Sequence, residues 1–115
     1  MKNVFYLDDD ELVSFVISKM LEKLNFKVYS FRNFKDFENS LKKKTPDFIL
    51  LDITMPDISG LEIYDYIKEN FPGLEKRTYF ITGNRSLVEG KNFNFIEKPV
   101  SLSELEKFLK KVGEL

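Results

Sequence analysis

Four short apolar runs in this chain each lead into residues able to do chemistry. Val4–Leu7 leads into Asp8, Asp9 and Asp10, and Phe48–Leu51 into Asp52; Thr78–Ile81 leads into Thr82-Gly83, and Phe93–Ile96 is followed by Glu97 and then Lys98-Pro99. Singly, each has a structural explanation. Acidic residues ahead of a helix satisfy its free N–H groups and its dipole, Asp52 and Thr82-Gly83 are turn formers, and Pro99 holds Lys98 extended. Jointly, four separate strand ends supply acids, a hydroxyl and an ammonium with no structural need to coincide.

Brought together, Asp8, Asp9 and Asp52 against Lys98 leave a net charge of −2. Such carboxylates repel and raise one another's pKa unless a cation sits among them. A hard divalent ion with oxygen ligands, Mg²⁺ first and Mn²⁺ second, matches both the charge and the donor type. Beside that ion a carboxylate can attack phosphorus, while the lysine neutralises phosphoryl oxygens and the Thr82 hydroxyl and a backbone N–H donate hydrogen bonds. Composition excludes the alternatives that need other groups. With no histidine and no cysteine there is no Ser-His-Asp triad, no imidazole or thiolate ligand and no disulfide.

The elements that must position these residues follow from periodicity. The 115 residues, 43% hydrophobic and 32% charged, suit one domain spanning 1–115. Five apolar runs, the four above and Phe26–Ser30, alternate with amphipathic stretches at Glu11–Leu24, Phe34–Lys44, Leu61–Asn70 and Leu102–Val112, which predicts an α/β fold with a parallel sheet covered on both faces. Val4–Leu7 and Phe48–Leu51 are continuously apolar and read as interior strands; Phe26–Ser30 and Phe93–Ile96 alternate and read as edges. The strand order is then 2-1-3-4-5, with the functional crevice between the first and third strands. Ser59 with Glu62 and Ser101 with Glu104 have capping-box spacing. Between the fourth and fifth strands, Gly83–Asn92 offers only Leu87 and Val88 to a core; Ser86 and Glu89 could start a helix that Gly90 stops after one turn, so a helix there is shortened or missing. A net charge of −1 gives no reason to expect DNA or membrane binding, and neither a leader peptide nor a spanning segment is visible, so the expected compartment is cytoplasmic.

Leu7-Asp8-Asp9-Asp10, Leu51-Asp52-Ile53-Thr54-Met55-Pro56 with Gly60, Thr82-Gly83 and Glu97-Lys98-Pro99 together resemble the receiver domain of two-component response regulators over essentially the whole chain. The resemblance implies a flavodoxin-like, chemotaxis-regulator-like fold in which Asp52 is the phosphoacceptor. By the same resemblance Asp9, Asp52 and the backbone carbonyl of Thr54 are metal ligands, Asp8 acts through metal-bound water, Lys98 and Thr82 contact the phosphoryl group, Thr82 and Phe95 form the switch, and the peptide before Pro99 is cis. The donor would be a histidine kinase or a histidine phosphotransfer protein, since the chain has no histidine of its own. The product would be slowly hydrolysed, and the output would be a conformational shift that regulates a downstream protein not named by the sequence. A chain of this kind is a signalling domain rather than an enzyme in the ordinary sense.

The shortened connection departs from the family, and resembles receivers excised from hybrid sensor kinases. A helical projection of Glu11–Leu24 places Val13, Val16, Ile17, Met20, Leu21 and Leu24 inward and Phe15 outward among Ser18, Lys19 and Glu22, a surface that in the family docks kinases. Three rivals remain in view. An Asp-nucleophile phosphohydrolase of the haloacid-dehalogenase type would use Asp8 instead of Asp52; a flavodoxin would need a hydroxyl-rich loop where this chain has Asp8 to Glu11; a phosphorylation-independent binding module would have no use for the full set.

Overall fold

The computed structural model describes residues 1–115. Its elements are β1 (Asn3–Leu7), α1 (Glu11–Lys23), β2 (Lys27–Phe31), α2 (Phe34–Lys43), β3 (Phe48–Asp52), α3 (Gly60–Asn70), β4 (Thr78–Thr82), β5 (Phe95–Glu97) and α4 (Leu102–Lys111), with 3₁₀ turns at Leu74–Arg77 and Arg85–Leu87. All five strands pair in parallel in the order β2-β1-β3-β4-β5. The continuously apolar segments are interior, as strands covered on both faces must be, and the alternating ones lie on the edges.

Period-two alternation splits the strand side chains between two cores. Val4, Tyr6, Phe48, Leu50, Tyr79 and Ile81 face α1 and α4, where Ile17, Leu21, Leu105 and Leu109 meet them. Phe5, Leu7, Ile49, Leu51 and Phe80 face α2 and α3, where Phe37, Leu41, Ile63 and Ile67 close the other side. Ser59 caps α3 through Glu62 N–H at 3.2 Å, and Ser101 with Glu104 forms a full capping box on α4.

Three expectations need correction. Val16 is 42% exposed, because the buried stripe of α1 is the narrower Ser14-Ile17-Leu21 set and Val16 continues the exposed row of Leu12 one turn earlier. The fifth strand begins at Phe95; Phe93 leaves the strand to pack its ring 4.9 Å from Tyr64 and 5.0 Å from Phe80. The connection from β4 to β5 is indeed a single 3₁₀ turn ended at Gly90 (φ +81°), but its cap is Asn84, whose side chain accepts Ser86 N–H at 3.2 Å. Val88, fully buried, joins Phe93 in covering the sheet face there. No helix is long and apolar enough to cross a membrane.

Candidate phosphoryl-transfer site

At the carboxyl ends of β1 and β3, where the strand order reverses, the carboxylates of Asp8, Asp9 and Asp52 lie within 4.8 Å of one another. Asp8 and Asp52 are buried and Asp9 is exposed. The three consecutive acids after β1 therefore divide their work. Asp10 is the helix cap, accepting Val13 N–H at 3.0 Å, which is the structural explanation for one of them and frees the other two. Asp8 points inward and is held from three sides: Asp10 N–H donates to its Oδ1 at 2.9 Å, while the Tyr6 hydroxyl at 2.7 Å and the Lys98 ammonium at 2.9 Å both donate to its Oδ2.

Lys98 reaches the cluster from the far side of the sheet's switch point. Its backbone N–H donates to Thr82 O at 2.8 Å, prolonging the β4–β5 pairing past Glu97, and the peptide to Pro99 is cis. That placement sends Nζ to Asp8 and to within 3.5 Å of Asp52 Oδ2. Burial lowers the lysine's pKa, but hydrogen bonding and attraction to Asp8 and Asp52 outweigh it, and the net shift is upward. Asp52 is pushed up to about 6, by burial first and then by the Asp8 charge, against the opposing pull of Lys98 and of Thr54 N–H, which donates to Oδ1 at 3.3 Å. Most of Asp52 is then still ionised at neutral pH. The Tyr6 phenol is driven far above its ordinary value by burial and by Asp8, so it stays a donor.

The segment after β3 is fixed by Gly60. Its N–H donates to Ile53 O at 2.8 Å, and a Cβ in its place would lie 2.6 Å from the Asp52 carbonyl oxygen. No hydrogen bond within the protein claims the Thr54 carbonyl, which stands in the same turn. Carboxylates and a free carbonyl form an all-oxygen donor set of net negative charge, which fits a hard divalent cation.

Thr82 and Phe95 stand less directly in the cluster. The Thr82 hydroxyl is buried and engaged in its own turn, donating to Asn84 O at 3.1 Å and accepting Asn84 N–H at 3.0 Å. Phe95 is half-buried beside Phe80 on the α3 face. The sequence reading missed Tyr6 as a polar participant, having counted it as one residue of an apolar run. Period two puts it on the same face as Asp8, and that spacing is the signal that could have found it.

Residues 4–110 match the response regulator receiver domain family. Among curated relatives, the chain is 32% identical over 116 residues to the transcriptional regulatory protein CrdR of Helicobacter pylori, covering 96% of this chain and 54% of that protein. It is 29% identical over 108 residues to the DNA-binding transcriptional regulator NtrC of Proteus hauseri, covering 89% of this chain and 22% of that one. The chain thus spans about half, or less, of these relatives. Among solved structures, the beryllofluoride-activated NtrC4 receiver domain dimer superposes with a TM-score of 0.77 at 30% identity, over 97% of this chain and 93% of that one.

Proposed function

This chain belongs to the response regulator receiver domain family, and we propose that it receives a phosphoryl group on Asp52 from a partner's phosphohistidine and signals by the resulting change of shape. One observation carries the reading: two buried carboxylates, an exposed third and a lysine converge from β1, β3 and the end of β5 on the point where the strand order reverses. A carboxylate oxygen of Asp52 attacks phosphorus, the P–N bond to the partner's imidazole breaks, and the imidazole keeps the bonding pair and is protonated from solvent. Lys98, already 3.5 Å from Asp52, moves onto the phosphoryl oxygens. Receiver domains bind Mg²⁺ at an acidic site, and here Asp9, Asp52 and the Thr54 carbonyl would hold the ion, with Asp8 acting through water. When bound, the ion would supply positive charge against the incoming phosphoryl oxygens. Thr82, on leaving Asn84, would donate its hydroxyl to the phosphoryl group, and Phe95 would shift in the space Thr82 leaves.

The phosphohydrolase alternative places the nucleophile at Asp8. That carboxylate already accepts three hydrogen bonds in a buried site, which leaves it poorly disposed to attack.

The partner's approach is suggested by α1. Leu12 is 73% and Phe15 60% exposed, and a groove of about 400 Å³ runs between Leu12, Val13, Val16 and Ile17 on one side and Lys98, Pro99 and Val100 on the other. A kinase or phosphotransfer helix seated there ends at Lys98, so its histidine would arrive beside Asp52. Leu12→Ala, on the groove's lining, and Phe15→Ala, on the exposed surface beside it, should each slow transfer from the partner while leaving phosphorylation by acetyl phosphate unchanged.

The test of the whole reading is phosphorylation with acetyl phosphate and Mg²⁺. Label should appear on the wild type and be absent from Asp52→Asn; undiminished label in Asp52→Asn would refute it.

A further inference from the structure

We propose that Tyr6 is a positioning residue that keeps the Asp8 carboxylate in place while Lys98 transfers from Asp8 to a phosphoryl group on Asp52. The inference rests on the reading of Asp52 as phosphoacceptor. Its ground is that one oxygen, Asp8 Oδ2, serves both donors: the Tyr6 hydroxyl at 2.7 Å and the Lys98 ammonium at 2.9 Å. Tyr6 and Asp8 are both fully buried, so no bulk water is at hand to replace a donor that leaves.

Lys98 is the only one of the two that can travel. It ends a flexible stem and already stands 3.5 Å from Asp52 Oδ2, whereas Tyr6 is fixed in the core between β1 and the α1–α4 layer. When Lys98 departs, Asp8 Oδ2 keeps one strong donor because Tyr6 remains. Without the phenol, the same departure would take the last protein donor from Asp8 Oδ2, leaving only metal-bound water to meet it, and the cost of under-satisfying a buried charge would hold the lysine on Asp8. Tyr6 therefore lowers the cost of the phosphorylated arrangement more than that of the resting one. A purely structural account also exists, in which a buried phenol simply takes the nearest acceptor. The two accounts differ in what they predict for the two ligands of the site.

Removing the hydroxyl does not remove a charge, so Mg²⁺ should bind the Tyr6→Phe chain as well as wild type or better, since Asp8 then has one hydrogen bond fewer. Beryllofluoride, the phosphoryl mimic, should bind about tenfold more weakly at saturating Mg²⁺, the low end for losing one hydrogen bond to a charged group. Calorimetric titration of the whole chain reads both constants, and phosphorylation by acetyl phosphate should slow by a similar factor. In an Asp8→Asn background, where no buried charge is stranded, Tyr6→Phe should change beryllofluoride affinity by less than about twofold. That second pair separates the stranded charge from any general effect of losing the hydroxyl.

Equal beryllofluoride affinity in wild type and Tyr6→Phe overturns the proposal, and so does a parallel loss of both ligands, which marks a structural role. A tenfold effect that persists in Asp8→Asn overturns it as well. A wild type that binds Mg²⁺ but no beryllofluoride overturns the Asp52 reading itself, and the role of Tyr6 falls with it.

Discussion

The Lys98 ammonium sits nearer to Asp8, at 2.9 Å, than to the proposed acceptor Asp52, at 3.5 Å. The lysine thus neutralises the buried Asp8 first, within reach of the proposed acceptor. Replacing it as Lys98→Met takes the cluster from −2 to −3. Mg²⁺ should then bind several-fold more tightly, while phosphorylation by acetyl phosphate falls about a hundredfold or more, because a preorganised charge at the reacting oxygens is lost. Calorimetry and a labelling time course read the two opposite changes; parallel losses would mean that the lysine only supports the fold.

Asp52 shows the cost of assembling the site. Its carboxyl is raised from an ordinary 3.8 to about 6 by burial and by Asp8, so at neutral pH it is ionised at the expense of folding stability. A raised carboxyl loses stability as pH climbs from the unfolded value through the folded one, and above both the full penalty applies. Asp52→Asn should therefore stabilise the metal-free chain at pH 7, by about 3 kcal/mol on a scale of about 1.4 kcal/mol per pH unit. Thermal unfolding with chelator measures it, and adding Mg²⁺ to the wild type should close most of the gap.

The strand order and the convergence of Asp8, Asp9, Asp52 and Lys98 were legible because interior and edge strands carry different patterns, as in Phe48–Leu51 against Phe26–Ser30, and because an α/β sheet gathers strand ends. What stayed hidden depends on side-chain packing. Whether Val16 is covered turns on how wide a stripe α1 buries, and a projection at a fixed angle gives every apolar residue the same weight. Phe93 reads as strand by alternation, yet its ring is drawn into the space left by the absent helix, between Tyr64 and Phe80. Glu114 has no local signal at all. Its partners Lys2, Arg77 and Tyr79 are far away in sequence and come together only in the finished fold.

Gly60 should be intolerant of any side chain. A Cβ there would stand 2.6 Å from the Asp52 carbonyl oxygen and 2.8 Å from the Ile53 Cα, both backbone atoms that cannot swing away. Gly60→Ala must push the start of α3 off the end of β3, at a cost of about 1–3 kcal/mol typical of overpacking. Because the same turn carries Asp52 and the Thr54 carbonyl, Mg²⁺ affinity should fall as well. Amide chemical shifts of Asp52 to Thr54 should move in the variant spectrum; unchanged shifts would show that the helix start yields instead.

Glu114 lies at the opposite end of the sheet, 3% exposed, and joins the chain's two ends. Its carboxylate accepts hydrogen bonds from Arg77 Nε at 3.0 Å, from the Tyr79 hydroxyl at 2.6 Å and from Lys2 Nζ at 3.2 Å, and Arg77 Nη2 adds a further contact. Burial alone would raise its pKa from 4.5, but these donors outweigh burial and the net shift is downward. A depressed carboxyl contributes stability that is complete above the unfolded value near 4.5 and is lost as pH falls through the lowered folded value. Glu114→Gln should thus cost about 2 kcal/mol at pH 7, on the scale of hydrogen bonds to a charged group, with Arg77 and Lys2 released to solvent. The difference between variant and wild type should shrink below pH 4.5 as the wild type protonates. Urea unfolding at several pH values reads this directly; a difference independent of pH would show that the carboxylate's charge contributes nothing.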